Sequence, residues 1–172
     1  KLTTEQFTIR NIYGKTPLHL AIERDDSQIL DILLDHCNIS DICDFALLQE
    51  AILCENNEIF YLIDDKFFAL QHNEHGSTPL HYALCAKRVQ IATVISQKVS
   101  RENIIIQDKS GCTPLHLAAF RGYIDIVYIL LGKMYPKDRV IKDNHGKTAL
   151  DYATTDEMKA LLQPCPKRAI SE

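Results

Sequence analysis

The chain has 172 residues, of which 46% are hydrophobic and 24% are charged, and its formal net charge is −4. This composition is that of a folded protein with one domain or one repeat array. The negative charge argues against a dedicated nucleic-acid binder, which usually carries a basic face. No run of 18 apolar residues occurs, so no membrane insertion is predicted.

Six cysteines stand at irregular spacings, without a CxxC pair. This spacing is not that of a disulfide framework, so we expect free thiols and a cytoplasmic or nuclear location. A zinc site on His36, Cys37 and Cys43 lacks a second ligand pair with a recognisable spacing, so no metal and no cofactor are expected. The chain begins at Lys1 rather than Met, and we expect either a fragment of a longer protein or a processed chain.

One nine-residue pattern recurs along the chain. GKTPLHLAI begins at Gly14, GSTPLHYAL at Gly76, GCTPLHLAA at Gly111 and GKTALDYAT at Gly146. The last three copies are 35 residues apart, whereas the first gap is 62 residues. The long gap predicts a degenerate copy, and DFALLQEAI at 44–52 fits it. Five units follow at 10–39, 40–71, 72–106, 107–141 and 142–163, between an N-terminal flank or cap at 1–9 and a tail at 164–172.

Each unit carries signals for two helices. The threonine caps the first helix, and the proline after it takes the first helical position, where its missing N–H does no harm. A second apolar helix follows, for example YIDIVYILLG after Arg121 and Gly122. Four polar turns precede the motifs and end in glycine: NIYG, NEHG, DKSG and DNHG. The apolar stretches IIIQ (104–107) and RVIK (139–142) predict the arms of short hairpins. Thr154 and Glu157 predict a capping box for the last helix.

This GxTPLHxA pattern, with two helices and a turn at a period near 33, resembles the ankyrin repeat over about residues 10–163. The resemblance implies an all-α solenoid of about five helix–turn–helix units with short β-hairpin loops and a degenerate second unit. It also implies a binding scaffold and not an enzyme, so no catalytic residue is expected. Partners of such arrays usually dock on the concave side, across the loop tips and first helices.

The motif histidines raise the question of catalysis. They recur once per unit, which places them too far apart for direct contact as a catalytic set. The resemblance implies a structural role instead, in which the imidazole bridges its own threonine and the backbone of a neighbouring loop. The residues assigned this role are Thr16, His19, Thr78, His81, Thr113 and His116. His72 and His75 could form a metal pair around Glu74, but their loop position favours solvated side chains.

Carried over position by position, the resemblance also implies a set of partner-binding residues on the tips and first helices. These are Tyr13, Glu23, Arg24, Ile42, Leu53, Glu74, His75, Lys109, Phe120, Arg121, Asn144 and His145. An apolar centre with aromatic and arginine anchors is typical of an interface. The alternative is that the irregular second unit buries the apolar centre, which comprises Ile42, Cys43, Leu53, Cys54 and Cys85. Phe120 and Arg121 are the strongest candidates because they lie in the most regular unit.

The expected function is protein–protein recognition by the concave surface, as an adaptor or inhibitor. The alternative is a targeting or regulatory module of a larger enzyme or channel, or of a bacterial or viral effector that acts on proteins in the host cytoplasm. Nucleic-acid binding is disfavoured by the net charge. A monomer is expected, because the end units carry polar residues that would cap the stack.

Overall fold

A computed structural model describes residues 4–36, 45–54, 58, 60, 61 and 72–163. In these residues the regular structure is entirely helical. The helices are α1 (Pro17–Glu23) and α2 (Ser27–His36) in the first unit, α3 (Phe45–Leu53) in the second, α4 (Pro79–Cys85), α5 (Val89–Lys98) and α6 (Arg101–Ile104) in the third, α7 (Pro114–Arg121) and α8 (Ile124–Lys133) in the fourth, and α9 (Asp156–Leu162) in the fifth. Three 3-10 helices span Thr4–Phe7, Pro136–Val140 and Ala149–Tyr152.

The helices form two stacked layers. In the first layer, α1, α3, α4 and α7 contact one another in that order, and the 3-10 helix Ala149–Tyr152 continues the row after α7. In the second layer, α5 contacts α8. Each unit is joined across the layers by the pairs α1 with α2, α4 with α5, and α7 with α8. This arrangement confirms the predicted all-α solenoid.

The first helices begin where the motif predicts. Thr16, Thr78 and Thr113 have an extended backbone, and a proline starts the helix directly after each. The helices end about two turns later, where the chain reverses through a left-handed residue. Lys87 and Gly122 hold equivalent positions in this turn, with φ of 60° and 76°. Glycine reaches this conformation freely, whereas a lysine side chain meets steric resistance there.

The core lies between the two layers. Leu18, Leu80 and Leu115, at one motif position, are at most 2% exposed, and Ala118 three residues after Leu115 is fully buried. Burying a leucine side chain contributes roughly 1.5–3 kcal/mol. The small alanine lets neighbouring first helices approach closely. Phe7 of the N-terminal flank is also buried, so the flank covers one end of the core.

The predicted hairpin arms are wrong in the part of the chain that the structure describes. Ile104 ends α6 instead of entering a strand, and Val140 ends a 3-10 helix. Each tip is only a turn: the amide of Asp108 donates to the carbonyl of Cys112 at 2.9 Å, with no strand ladder around it. Neighbouring tips are also joined by backbone hydrogen bonds. For example, the amide of Lys109 donates to the carbonyl of His75 in the preceding tip at 3.0 Å. Single backbone hydrogen bonds of this kind link neighbouring tips, and no ladder forms within a tip of the described residues.

The two long connections fold as short helices that contact each other. Arg101, at the start of α6, donates two hydrogen bonds of 2.8 and 2.9 Å to the buried carboxylate of Asp138. The guanidinium carbon of Arg101 also lies 4.1 Å from the centroid of the Tyr135 ring. The last helix is capped by Thr155, whose hydroxyl accepts from the amide of Met158. The predicted cap at Thr154 is therefore off by one residue.

No helix in the described ranges has the length and hydropathy to cross a membrane. The predicted second unit is described only through α3 and three isolated residues. Ile42, Cys37 and Cys43 lie outside the described residues, as does the predicted tail 164–172.

Candidate partner-binding surface

The motif histidines are buried and hydrogen-bonded at both ring nitrogens in units three and four. Nδ1 of His81 accepts from the Thr78 amide at 3.1 Å and lies 2.7 Å from the Thr78 hydroxyl, while Nε2 lies 2.9 Å from the Cys112 carbonyl oxygen. His116 repeats this geometry with Thr113, and its Nε2 lies 3.2 Å from the Lys147 carbonyl. Each histidine thus joins its own threonine to the loop of the next unit.

The hydrogen bonds determine the protonation state of these rings. Because Nδ1 accepts the backbone N–H of threonine, Nε2 carries the proton and donates to the carbonyl. Burial lowers the pKa of His81 and of His116, although the carbonyl partner of each opposes that shift. Both rings are therefore neutral at physiological pH. His19 makes the same pair with Thr16, with Nδ1 at 2.8 Å from the hydroxyl. These contacts support the predicted structural role.

The loop tips are held by an aspartate or asparagine at a fixed place. Oδ1 of Asp108 accepts from the amides of Ser110 and Cys112, both at 2.9 Å. Oδ1 of Asp143 accepts in the same way from the amides of His145 and Lys147. Side-chain bonding of this kind is a common way to stabilise a turn. The tip residues between these bonds are left pointing to solvent. Predicted site residues that are exposed on the tips are Tyr13, Glu74, His75, Lys109, Asn144 and His145.

Four of these tip residues are joined to one another in pairs. The side-chain amide of Asn144 donates to the Lys109 carbonyl at 2.8 Å, which links the tips of units four and five. Nε2 of His75 lies 3.5 Å from a carboxylate oxygen of Glu74. The Asn144 side chain is therefore already engaged in the frame, whereas the side chains of Tyr13, Lys109 and His145 form no hydrogen bond or ion pair with the described residues.

At the N-terminal end of the concave surface, Lys15 bridges two carboxylates. Its Nζ lies 2.9 Å from Glu23 and 3.2 Å from Glu50, and the hydrogen bonds to Glu23 and then Glu50 raise the pKa of Lys15. A shallow pocket opens beside this group, lined also by Ile22, Asp25, Leu53 and Cys54. Leu53 is 53% exposed, so the alternative that the second unit buries it is wrong. Arg24 is exposed on the same side.

At the C-terminal end, Phe120 and Arg121 lie together at the end of α7. Phe120 is 54% exposed, and its ring meets the Tyr152 ring edge-on, with centroids 6.2 Å apart. The guanidinium carbon of Arg121 lies 5.8 Å from the Phe120 centroid, and Arg121 donates to the Cys85 carbonyl at 3.4 Å. Aromatic and arginine side chains are enriched at protein interfaces.

A small apolar pocket adjoins Phe120. Its volume is about 140 Å³, and its walls are Cys112, His116, Leu117, Phe120 and Tyr152. The Tyr152 hydroxyl donates to Oδ2 of Asp143, and this bond raises the pKa of Tyr152 to about 12. Burial, with the nearby Asp108 and Asp143 carboxylates, raises the pKa of the Cys112 thiol to about 11. The thiol is therefore protonated at neutral pH and is a poor nucleophile.

The predicted set lacks four residues that help to form this surface: Tyr152, Leu117, Lys147 and Lys15. Leu117 and Tyr152 occupy the variable position after the motif histidine, and Lys15 and Lys147 the variable position before the threonine. Since the threonine, leucine, histidine and alanine of the pattern are buried in units one, three and four, the two variable positions inside GxTPLHxA are left for the surface. That periodic variability was the available signal. The described residues contain no group of three or more histidine, cysteine or acidic side chains that could hold a metal ion.

Comparison with known proteins agrees with this architecture. Residues 99–153 match the family described as ankyrin repeats in many copies, and residues 13–45 match the ankyrin repeat. Among solved structures, the chain is similar to the ankyrin repeat domain of Bcl-3, described as a unique member of the IkappaB protein family, with a TM-score of 0.73 and 24% identity. The match covers 91% of this chain and 71% of that one. Helix layers, Thr–His pairs and family matches agree, and the chain belongs to the ankyrin repeat family.

Proposed function

We propose that this protein is a scaffold that binds a partner protein on its concave surface, the surface formed by the loop tips and first helices. Ankyrin repeats generally mediate protein–protein interactions, and the fold is typically a non-catalytic interaction module. The partner-binding residues proposed here are the exposed ones, with Phe120 and Arg121 as the principal anchors.

The observation that carries this proposal is the exposure of Phe120 beside Arg121 on an otherwise tightly packed helix. Neighbouring residues of α7 are buried, including Ala118 and Ala119. Phe120 is not needed to fill the core, and exposing an aromatic ring has a cost in solubility. A large apolar side chain next to a cation, on a surface that the stack keeps rigid, favours binding because little freedom is lost on association.

The test is a comparison of surfaces. Partners are captured from a lysate of the source cells with the wild-type chain, identified by mass spectrometry, and then titrated against purified variants. Phe120→Ala and Arg121→Ala alter the concave surface, whereas Tyr128→Ala removes an exposed aromatic side chain of α8 in the second layer. We expect the first two to weaken binding and the third to leave it unchanged. Binding lost only in Tyr128→Ala would place the site on the opposite face.

A targeting or regulatory module within a larger protein, including a pathogen effector, would use the same surface. The two proposals differ in what accompanies the repeats, so the complete reading frame distinguishes them. A cytoplasmic or nuclear site and a monomeric state are part of the proposal. Imaging of the tagged full-length protein tests the first, and sedimentation of the purified chain tests the second.

A further inference from the structure

We infer that the pocket between units four and five receives one apolar side chain of a partner segment, and that a carboxylate beside that side chain pairs with Arg121 or Lys147. This inference rests on the proposed function and names the chemistry of the segment that the concave surface recognises. The occupant is therefore an acidic stretch of protein with a single apolar anchor.

The size of the pocket selects one side chain. Its volume of about 140 Å³ is close to that of a cavity that takes a benzene-sized group, about 150 Å³. Pockets for small-molecule ligands are larger, roughly 300–1,000 Å³. The walls are the thiol of Cys112, the side chain of Leu117 and three ring systems. Such walls offer contact to an aliphatic or small aromatic side chain and almost no hydrogen bonding.

The walls are also held in place before any partner binds. Tyr152 is fixed by its hydroxyl bond to Asp143, and its ring meets both His116 and Phe120 edge-on, with centroids 6.1 and 6.2 Å away. His116 is itself fixed at both nitrogens by Thr113 and Lys147. A preformed pocket loses little conformational freedom when a side chain enters it.

Two cations stand over the aromatic walls. Nζ of Lys147 lies 5.3 Å from the centroid of the Tyr152 ring, and the guanidinium carbon of Arg121 lies 5.8 Å from the Phe120 centroid. Both side chains are exposed, and neither forms an ion pair with any residue in the described part of the chain. An apolar anchor in the pocket thus brings its neighbouring residues within reach of two cations.

The nearby carboxylates form their hydrogen bonds within their own unit and not with these cations. Asp143 has Oδ1 occupied by the amides of His145 and Lys147, and Oδ2 by Tyr152. Asp151 accepts from both the amide and the hydroxyl of Thr148. Both carboxylates stay charged, and Asp151 attracts Lys147 through space, whereas Arg121 forms no ion pair with any carboxylate of the described residues and keeps its attraction for a carboxylate from outside.

The other end of the concave surface carries an excess of carboxylates. There Glu23, Glu50 and Asp25 lie around the pocket with Lys15, and Arg24 is exposed on the same side, so three carboxylates stand against two cations. An acidic segment is therefore favoured beside Arg121 over the end that holds these three carboxylates. This asymmetry argues for an acidic rather than a basic partner segment.

The experiment uses a phage-displayed library of random twelve-residue peptides, selected on the purified full chain. We expect the enriched peptides to share one apolar residue with aspartate or glutamate within two positions of it. An enriched peptide is then labelled and titrated by fluorescence polarisation. Replacing its apolar residue with alanine, or its acidic residues with lysine, should weaken binding about tenfold each, the loss typical of an anchor residue. Enrichment of peptides without acidic residues, or no enrichment, would overturn the inference.

Protein variants locate the contact. Arg121→Glu/Lys147→Glu reverses both cations and should weaken the peptide about tenfold. The matched control Lys137→Glu/Lys159→Glu reverses two exposed cations outside the concave surface and should change affinity less than twofold. Equal effects of the two double variants, or preferential binding of a labelled thymidine oligonucleotide, would contradict the inference. If the enriched peptides are not acidic but Phe120→Ala still weakens binding of the captured partner, this inference fails and the proposed function stands. If Phe120→Ala has no effect on binding of that partner, the proposed function and this inference both fail.

Discussion

Nε2 of His116 in unit four donates to the carbonyl oxygen of Lys147 in unit five, 3.2 Å away. The same histidine holds Thr113 of its own motif through Nδ1. One imidazole therefore joins two neighbouring units, and the equivalent His81 joins units three and four through the Cys112 carbonyl. The residue that most resembles a catalytic group in the sequence is a link between repeats.

His116→Ala should destabilise the fold. The change leaves the Lys147 carbonyl and the Thr113 amide without their partner and opens space in a buried site, at a cost of about 2–3 kcal/mol. For a chain of this size, that cost lowers Tm by roughly 5–10 °C. His75→Ala removes an exposed histidine from a loop tip and should leave Tm nearly unchanged. A normal Tm in His116→Ala would refute the structural role.

Stability should fall as the pH falls through the histidine range. The pKa of His81 and of His116 is lowered in the folded protein, so the unfolded chain binds protons more readily than the folded one below about pH 6.5. The stabilisation is complete above pH 6.5 and is lost at up to about 1.4 kcal/mol per pH unit for each histidine. Urea midpoints between pH 5 and pH 8 measure this slope. A His81→Asn/His116→Asn variant should show a flatter profile than the wild type, and an identical slope would contradict the assignment.

Two glycines at equivalent tips separate backbone strain from steric contact. Gly111 and Gly146 have φ of 78° and 75°, so alanine at either should cost about 1–2 kcal/mol. A Cβ at Gly111 would also lie 2.6 Å from the backbone nitrogen of Asn144, whereas a Cβ at Gly146 meets nothing within 4 Å. Gly111→Ala should therefore be less stable than Gly146→Ala by a further 1–3 kcal/mol or so. Denaturation midpoints that coincide would show that the tips are not packed as described.

The bond between Arg101 and Asp138 should be a measurable stabiliser. Asp138 is buried and Arg101 only a quarter exposed, so Arg101→Ala leaves a buried carboxylate without its main partner, at about 2 kcal/mol after allowance for solvent at the arginine. A double-mutant cycle with Asp138→Ala should give a coupling energy of about 1–2 kcal/mol. Lys137→Ala, at the adjacent exposed cation, should change stability by less than about 0.5 kcal/mol. Additive single effects would show that the pair does not couple the two connections.

Local signals in the sequence were sufficient to predict where the first helices begin. A threonine followed by proline restricts the backbone at Thr78 and Thr113 before any tertiary contact forms, and the helices start there. The segments 104–107 and 139–142 were mispredicted as strands because their apolar residues satisfy either a strand or a helical turn. In the structure, the helices at these connections are joined by hydrogen bonds between Arg101 and Asp138, which are 37 residues apart. Nothing in the sequence of either segment predicts that contact.

The surface was only partly predictable for a related reason. Phe120 and Arg121 were recognisable because they follow the motif directly. Tyr152 became part of the same surface only through its bond to Asp143 and its contact with Phe120, which lies one unit away. Pockets that form between units depend on side chains about 35 residues apart, and no local pattern reports which of them meet.

The most direct test of partner binding on the concave surface is the affinity of the captured partner for Phe120→Ala, measured at a temperature where the variant is fully folded. Because Phe120 is exposed, we predict a Tm within a few degrees of the wild type and an affinity about tenfold weaker. Tyr128→Ala, measured in parallel, should bind as the wild type does. An unchanged affinity in Phe120→Ala with an unchanged Tm would contradict binding at this surface.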